Sequence, residues 1–294
     1  MKYIPSIHRV GAATITRIEE TTFAFAPDVL FPDWDPRDSQ SLSERLAPAS
    51  LDLAHQRVAL QTHLWVVEID GLTLVIDTGI GNGKSRPFSK LFDALDTPLL
   101  DRFEAAGFRR EQVDYVLHTH LHVDHVGWNT FWQEGRWAPV FPKATYVFGE
   151  RERDFFDTPA GAARRMVFED SVRPIIAAGM SRTVPDEGAT VIDGIRFLPT
   201  PGHSIGHMAI EIHSRGKTAL FSGDAMHSPI QVYHPAWSSM FCLDRELAQR
   251  SRAWLLVHAA ETCATVFAAH FPETSAGNIQ RSGDGYVWSY AAGC

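Results

Sequence analysis

Residues 118–125 read His-Thr-His-Leu-His-Val-Asp-His, and within them His120, His122, Asp124 and His125 form the pattern H-x-H-x-D-H. The run just before it, Val113-Asp114-Tyr115-Val116-Leu117, is β-branched and apolar, as in a buried strand. His120 and His122 are two residues apart, so at the end of that strand they project to the same side. Asp124 and His125 point elsewhere because the chain turns there, into a helix expected around 126–133. Two imidazoles on one side, with a carboxylate and an imidazole on the other, suit two adjacent metal ions. Buried without metal or partners, this much imidazole and carboxylate would be costly to desolvate. The competing reading is a solvated polar loop.

A dinuclear site needs more than four ligands, and three further residues follow strand-like runs. His203 lies in Thr200-Pro201-Gly202-His203, after Ile195-Arg196-Phe197-Leu198. Asp224 lies in Phe221-Ser222-Gly223-Asp224-Ala225, and His270 in Ala268-Ala269-His270-Phe271-Pro272. Each comes after an apolar run and is flanked by Gly, Pro or small residues, as where strand ends open into a site.

The order H-x-H-x-D-H, P-G-H, S-G-D-A, A-H-F-P resembles the metallo-β-lactamase-fold dinuclear metallohydrolases. Leu74-Val75-Ile76-Asp77-Thr78-Gly79 resembles that superfamily's D-T-G turn, and the likeness runs from about residue 10 to 290. The resemblance implies an α/β protein with a four-layer αβ/βα sandwich. It implies that His120, His122 and His203 hold one metal, that Asp124, His125 and His270 hold the other, and that Asp224 bridges both. In acyl-homoserine lactonases of this superfamily a tyrosine stands three residues after the bridging Asp and helps hold the carbonyl oxygen; here that position is His227. The stretch Gly223–Val232 looks more like methyl parathion hydrolase and its relatives.

The remaining pattern fits one domain over residues 1–294, made of two similar halves. Residues 11–25 read as a first strand and its turn (Ala13-Thr14-Ile15-Thr16-Arg17-Ile18), and strands are expected at 63–70 and 73–77, joined by an Asp70-Gly71 turn. Apolar residues at helical spacing mark 88–95, and Thr97-Pro98 reads as a cap and first-turn Pro for a second helix. Further strands are expected at 145–148, 190–198, 207–213, 218–222, 264–268 and 285–289. Helices are expected from Leu42, through most of 150–180, and at 244–260. The Pro-rich segment at about 27–60 (Pro27, Pro32, Pro36, Pro48) breaks this order and is expected to cover the substrate pocket. Phe31, Trp34, Trp128, Trp237 and Phe241 would wall that pocket, or else pack against the sandwich or a second subunit of a homodimer.

Hydrophobic residues make up 45% and charged residues 21% of the 294, as in an ordinary globular protein. A net charge of −8 argues against nucleic acid as a partner. No apolar leader follows Met1 and no apolar run is long enough to span a membrane, so no export signal and no membrane segment are expected. The odd, widely spaced Cys242, Cys263 and Cys294 read as free thiols in a reducing, cytoplasmic setting.

Nitrogen and oxygen donors without thiolate fit two divalent ions, zinc first and manganese, iron or cobalt as alternatives. Such a pair lowers the pKa of a shared water from ~15.7 to about 7, providing a metal-bridging hydroxide. Asp124 is the expected proton acceptor and donor, and His227 is a second catalytic candidate. Asp77 is either a hydrogen-bond acceptor for a ligand histidine or a turn-stabilising residue. His118 is either a support for the ligands or a core histidine, and His207 is structural. The expected activity is that of a lactonase or arylesterase on a small ester or lactone, with a phosphotriesterase as the alternative. The bridging Asp and the lack of an export signal disfavour a β-lactamase. The acidic charge disfavours a nuclease. His122, standing where di-iron relatives carry a carboxylate, disfavours oxygen chemistry.

Overall fold

The computed structural model describes residues 3–46 and 50–293; Pro48 and Cys294, both part of the sequence reading, lie outside the described residues. Strands β1 (Ser6–Val10), β2 (Ala13–Phe25), β3 (Val58–Ile69), β4 (Leu72–Ile76) and β5 (Tyr115–Leu117) come first, then a separate hairpin of β6 (Thr130–Gln133) and β7 (Arg136–Pro139), then β8 (Thr145–Gly149) and β9 (Ser181–Val184). All but the hairpin form a seven-stranded sheet in the order β1-β2-β3-β4-β5-β8-β9. The second seven-stranded sheet runs in sequence order: β10 (Ala189–Ile192), β11 (Ile195–Pro199), β12 (Met208–Ser214), β13 (Lys217–Gly223), β14 (Thr265–Ala268), β15 (Ala276–Ser282) and β16 (Gly285–Tyr290). The chain divides into two compact units, one of residues up to Thr21 with Thr62–Glu187, the other of Thr22–Gln61 with Gly188–Gly293. The division falls inside β2 and β3.

Strand direction decides where polar side chains gather. In the first sheet β4, β5 and β8 are parallel, with Ile76 paired to Leu117 and Leu117 to Val147, so their carboxyl ends lie at one edge. In the second, β13 and β14 are parallel, and β11 runs the same way because both it and β13 are antiparallel to β12. The residues following β4 and β5, and those following β11, β13 and β14, therefore emerge at the carboxyl edge of their own sheet, where loops carry function.

Each unit has its own apolar interior. Leu64, Val66, Val75, Val116, Phe103 and Tyr146 are central in the first. Leu198, Leu220, Val266 and Leu255 form one cluster of the second, and Leu30, Phe31, Leu42, Leu60 and Trp237 another. Phe31 and Trp237 are buried, and Trp34 meets Trp237 edge-on at 5.3 Å, so these three aromatics pack into the interior. Trp128 is buried in the other unit, whereas Phe241 is 40% exposed.

Local structure follows the sequence pattern at most elements. The Asp70-Gly71 turn joins β3 to β4 with both residues at positive φ, which a tight hairpin of this kind requires. The helix after Pro98 is Leu99–Ala105, although Thr97 donates to Asn82 Oδ1 instead of capping it. The expected 190–198 strand is two strands, folded at Gly194, whose φ is +75°.

Two expectations are corrected. Residues 88–95 form turns, not a helix: Ala94 N–H bonds to the Lys84 carbonyl, and the Asp93 carboxylate accepts from Arg86 N–H at 2.5 Å, closing the segment on itself. Residues 126–133 are a single 3-10 turn, Gly127–Asn129, followed by β6. The Glu134-Gly135 pair, both at positive φ, turns this strand back into β7. Gly127 explains the tightness of that passage, because a Cβ there would lie 1.8 Å from the Ile80 carbonyl oxygen. Strands β9 and β15 are present although their sequences carry no clear alternation.

Gly127→Ala should therefore destabilise the protein by about 3 kcal/mol or more, through overpacking against backbone that cannot swing aside. Thermal unfolding checks this, and an unchanged midpoint would contradict the close approach.

Candidate metal centre

In the first unit the site is built around Asp77, immediately after β4. Its Oδ1 accepts from Thr119 N–H at 2.9 Å and its Oδ2 from the Thr119 hydroxyl at 2.8 Å. His125 Nδ1 lies 2.9 Å from the same Oδ2. A carboxylate only accepts, so His125 carries its proton on Nδ1 and presents the Nε2 lone pair. His120 Nδ1 lies 3.1 Å from Thr119 Oγ1. The threonine proton is given to Asp77, so the oxygen accepts from His120 Nδ1–H, and His120 too presents Nε2. One carboxylate thus fixes the tautomer of two histidines, directly and through a hydroxyl.

The rings of His120 and His125 are 4.1 Å apart and those of His120 and His122 4.5 Å, so three imidazoles share one small volume. Asp124 Oδ1 lies 3.9 Å from His125 Nε2, and Asp124 and His122 are partly exposed. Burial works against the charge of Asp77, but the neighbouring His125 and His118 imidazoles hold its carboxyl well below the usual range. Asp77 itself sits at φ +51°, a conformation non-glycine residues adopt rarely and mostly at constrained sites. His118 is fully buried with Nδ1 3.6 Å from Asp77 Oδ1, too long for a hydrogen bond, and its ring lies by Tyr146 and Phe148.

Glu20 was not among the residues the sequence singled out. It lies on β2, 3% exposed, and accepts from Ile80 N–H at 2.7 Å, Gly81 N–H at 3.0 Å and Trp128 Nε1–H at 2.6 Å. It ties the loop after Asp77 to the segment after His125. Burial raises its pKa to about 7; the three donors oppose that rise and the Asp124 charge adds to it. The only sequence signal was an acidic residue placed inside a strand. Glu152, another buried carboxylate, accepts from Leu121 N–H within the motif at 3.0 Å.

In the second unit the centre is Asp224, just past β13. His203 Nε2 lies 3.2 Å and His227 Nε2 3.2 Å from its Oδ2, and His270 Nε2 lies 3.1 Å from its Oδ1. His270 Nδ1 is 2.8 Å from the Gln61 carbonyl, which only accepts, so its proton is on Nδ1 and its Nε2 lone pair faces the Asp224 oxygen. Two lone pairs at that separation repel unless a cation lies between them or the ring takes a second proton. His203 Nδ1 faces the Cys242 thiol at 3.9 Å, a contact in which either group can donate. This donor set, imidazole nitrogens turned onto a carboxylate, fits a divalent ion. His203, Asp224 and His227 offer ligand atoms within 4.8 Å of one another.

His207, read from sequence as structural, holds Asp224 from behind. Its Nε2 accepts the Asp224 backbone N–H at 2.9 Å, and its Nδ1–H reaches Thr200 Oγ1 at 2.8 Å. Burial lowers the pKa of His227, against the pull of the Asp224 charge. Phe241 packs 5.9 Å from the His227 ring and 5.5 Å from Phe25, and Phe23 lies 6.5 Å from the His270 ring, so apolar side chains flank this half of the site.

Asp77→Asn replaces one of these acceptor oxygens by a donor and should weaken divalent-metal affinity by roughly 10–100-fold. Chelator competition measures this, and wild-type affinity would show that the tautomers are set elsewhere. The raised pKa of Glu20 carries a sign. Between about 4.5 and about 7 the folded protein keeps a proton that the unfolded chain has lost, so this contribution to stability falls as pH rises through that window. In metal-stripped protein, the stability of wild type relative to Glu20→Gln should drop by on the order of 2–3 kcal/mol from about pH 5 to about pH 8. Urea unfolding at each pH reads it; a constant difference would mean Glu20 titrates as an ordinary carboxylate.

The sequence profile of the Metallo-beta-lactamase superfamily matches residues 57–270. An N-acyl homoserine lactonase, AttM of Rhizobium radiobacter, is 27% identical over 196 residues, which covers 65% of this chain and 70% of that protein. The crystal structure of hydrolase AbOPH, of the beta lactamase superfamily, superposes with a TM-score of 0.80 at 24% identity, covering 98% of this chain and 97% of that one. AidC, described as a dizinc quorum-quenching lactonase and solved with the product N-hexnoyl-L-homoserine, superposes with a TM-score of 0.79 at 19% identity, covering 99% and 98%. At these identities the structural likenesses speak to the fold, whereas the profile match spans most of the chain. The chain belongs to the metallo-β-lactamase superfamily, has that superfamily's α/β fold with mixed sheets, and is a metal-dependent hydrolase.

Proposed function

We propose that this hydrolase opens lactones and cleaves aryl esters. The observation that carries the reading is the convergence of imidazole Nε2 atoms on Asp224 in one unit, matched in the other by His120 and His125, whose Nε2 atoms are freed by Asp77. In this reading His120, His122 and His203 hold one ion, Asp124, His125 and His270 hold the other, and Asp224 is shared. The nitrogen and oxygen donors favour zinc. When bound, such ions polarise an ester carbonyl and acidify water.

The chain's own residues do the rest. A carboxylate oxygen of Asp124 takes the proton of the attacking water and returns it to the leaving alkoxide oxygen. Asp77 and His207 hold the ligand shell in place from behind. Phe25, Phe241 and Phe23 give the site apolar company suited to a neutral ester with an acyl or aromatic part. The lactonase name of the AttM relative supports the same substrate class. The reading also includes one domain over the whole chain with the segment at about 27–60 beside the pocket, a homodimer, and a cytoplasmic setting in which Cys242 and Cys263 stay as thiols. Among the described residues no helix is long and apolar enough to cross a membrane.

The alternative is a phosphotriesterase, favoured by the stretch Gly223–Val232 with His227 in place of tyrosine. Metal-loaded protein assayed on γ- and δ-lactones, an acyl-homoserine lactone, aryl acetates and a nitrophenyl phosphotriester separates the two. Lactone or ester turnover well above phosphotriester turnover is expected; the reverse order would overturn the first reading. Asp124→Asn should lower kcat by roughly 10²-fold or more with a much smaller change in KM. An unchanged kcat would remove Asp124 from proton transfer.

A further inference from the structure

Three imidazoles of the second unit lie against Asp224, and distance alone makes these three equivalent, at 3.1 to 3.2 Å from its oxygens. The other ring nitrogen tells them apart. A neutral imidazole has one proton, and a ring that binds a metal through Nε2 must carry it on Nδ1, where it needs an acceptor. His270 has one, the Gln61 carbonyl at 2.8 Å. His203 has a weak one, Cys242 Sγ at 3.9 Å. His227 Nδ1 is buried and meets no hydrogen-bond partner among the described residues. A proton placed there would be buried without an acceptor, which folded proteins avoid. On Nε2 the same proton points at Asp224 Oδ2 at 3.2 Å and at Ser239 Oγ at 3.3 Å.

We propose that His227 is not a metal ligand but a positioning residue, whose Nε2–H donates to Asp224 Oδ2 and holds the shared carboxylate in its bridging orientation. The inference rests on the reading of Asp224 as the bridging ligand and changes the role expected of His227, which then acts through Asp224 instead of on the substrate. Its own placement is well supported. The His227 backbone N–H donates to Gln231 Oε1 at 2.6 Å, Gln231 Nε2–H donates to the Trp237 carbonyl at 2.8 Å, and the ring stacks on His270 at 16°. Each carboxylate oxygen has two lone pairs. With one lone pair of Oδ2 engaged by His227, the other is left for an ion, and rotation of the carboxylate about its Cβ–Cγ bond would break the hydrogen bond.

The test is made on the zinc-loaded full chain with 15N-labelled histidine. Long-range proton–nitrogen spectra should show His227 as the Nε2–H tautomer and His203 and His270 as Nδ1–H. His227 as Nδ1–H, with its Nε2 shifted as a coordinated nitrogen, would overturn the proposal. His227→Leu should keep both zinc ions per chain but bind the weaker one roughly 10–100-fold less tightly, and His227→Gln, which restores an N–H near the same place, should recover most of the loss. Loss of a zinc ion in both variants alike would overturn it, since a ligand would then be missing. Failure of the underlying metal reading has a different signature: Asp224→Ala would keep both ions, and the proposal would fall with that reading.

Discussion

The site depends first on an acceptor. Asp77 takes hydrogen bonds from Thr119 and His125, and Thr119 in turn takes one from His120. Without it a neutral imidazole could protonate either nitrogen, and half the arrangements would turn an N–H toward the place a cation should occupy. The carboxylate removes that freedom for two rings at once. It also explains the residue's unusual backbone: at φ +51° the chain turns directly at the end of β4, bringing the side chain alongside the residues that follow β5.

The second unit solves the same problem with different groups. A backbone carbonyl fixes His270, a thiol faces His203, and a histidine–threonine pair holds the Asp224 amide. These supports are chemically unlike Asp77 and unlike each other. They share only a requirement, an acceptor or donor at one defined point behind each of these side chains.

That difference governs what could be read from the amino-acid order. The residues that point their reactive atoms outward, from His120 to His270, stood out because imidazole and carboxylate at strand ends are rare. Asp77 stood out as well, in its D-T-G setting, and it both sits at the turn after β4 and accepts from His125. Strands rich in β-branched and apolar residues, such as β2, β3 and β12, were legible for the same local reason. Glu20, His207 and Thr119 were not, because their roles come from contacts distant in sequence or from a backbone amide, neither of which leaves a periodic trace. The expected helix at 126–133 failed on tertiary grounds: the close approach of Gly127 to Ile80 and the buried Trp128–Glu20 bond leave room for a single tight turn only.

Glu20 also has a temporal side. Its partners Ile80, Gly81 and Trp128 are 60 to 108 residues downstream, so during synthesis the carboxylate emerges long before anything can receive it. Until then it is an ordinary solvated charge on a nascent strand, and β2 cannot bury that face. Two of the donors, Ile80 and Gly81, precede the histidine motif and the third, Trp128, follows it, so the hydrogen bonds of Glu20 can be complete only once the chain has passed that motif.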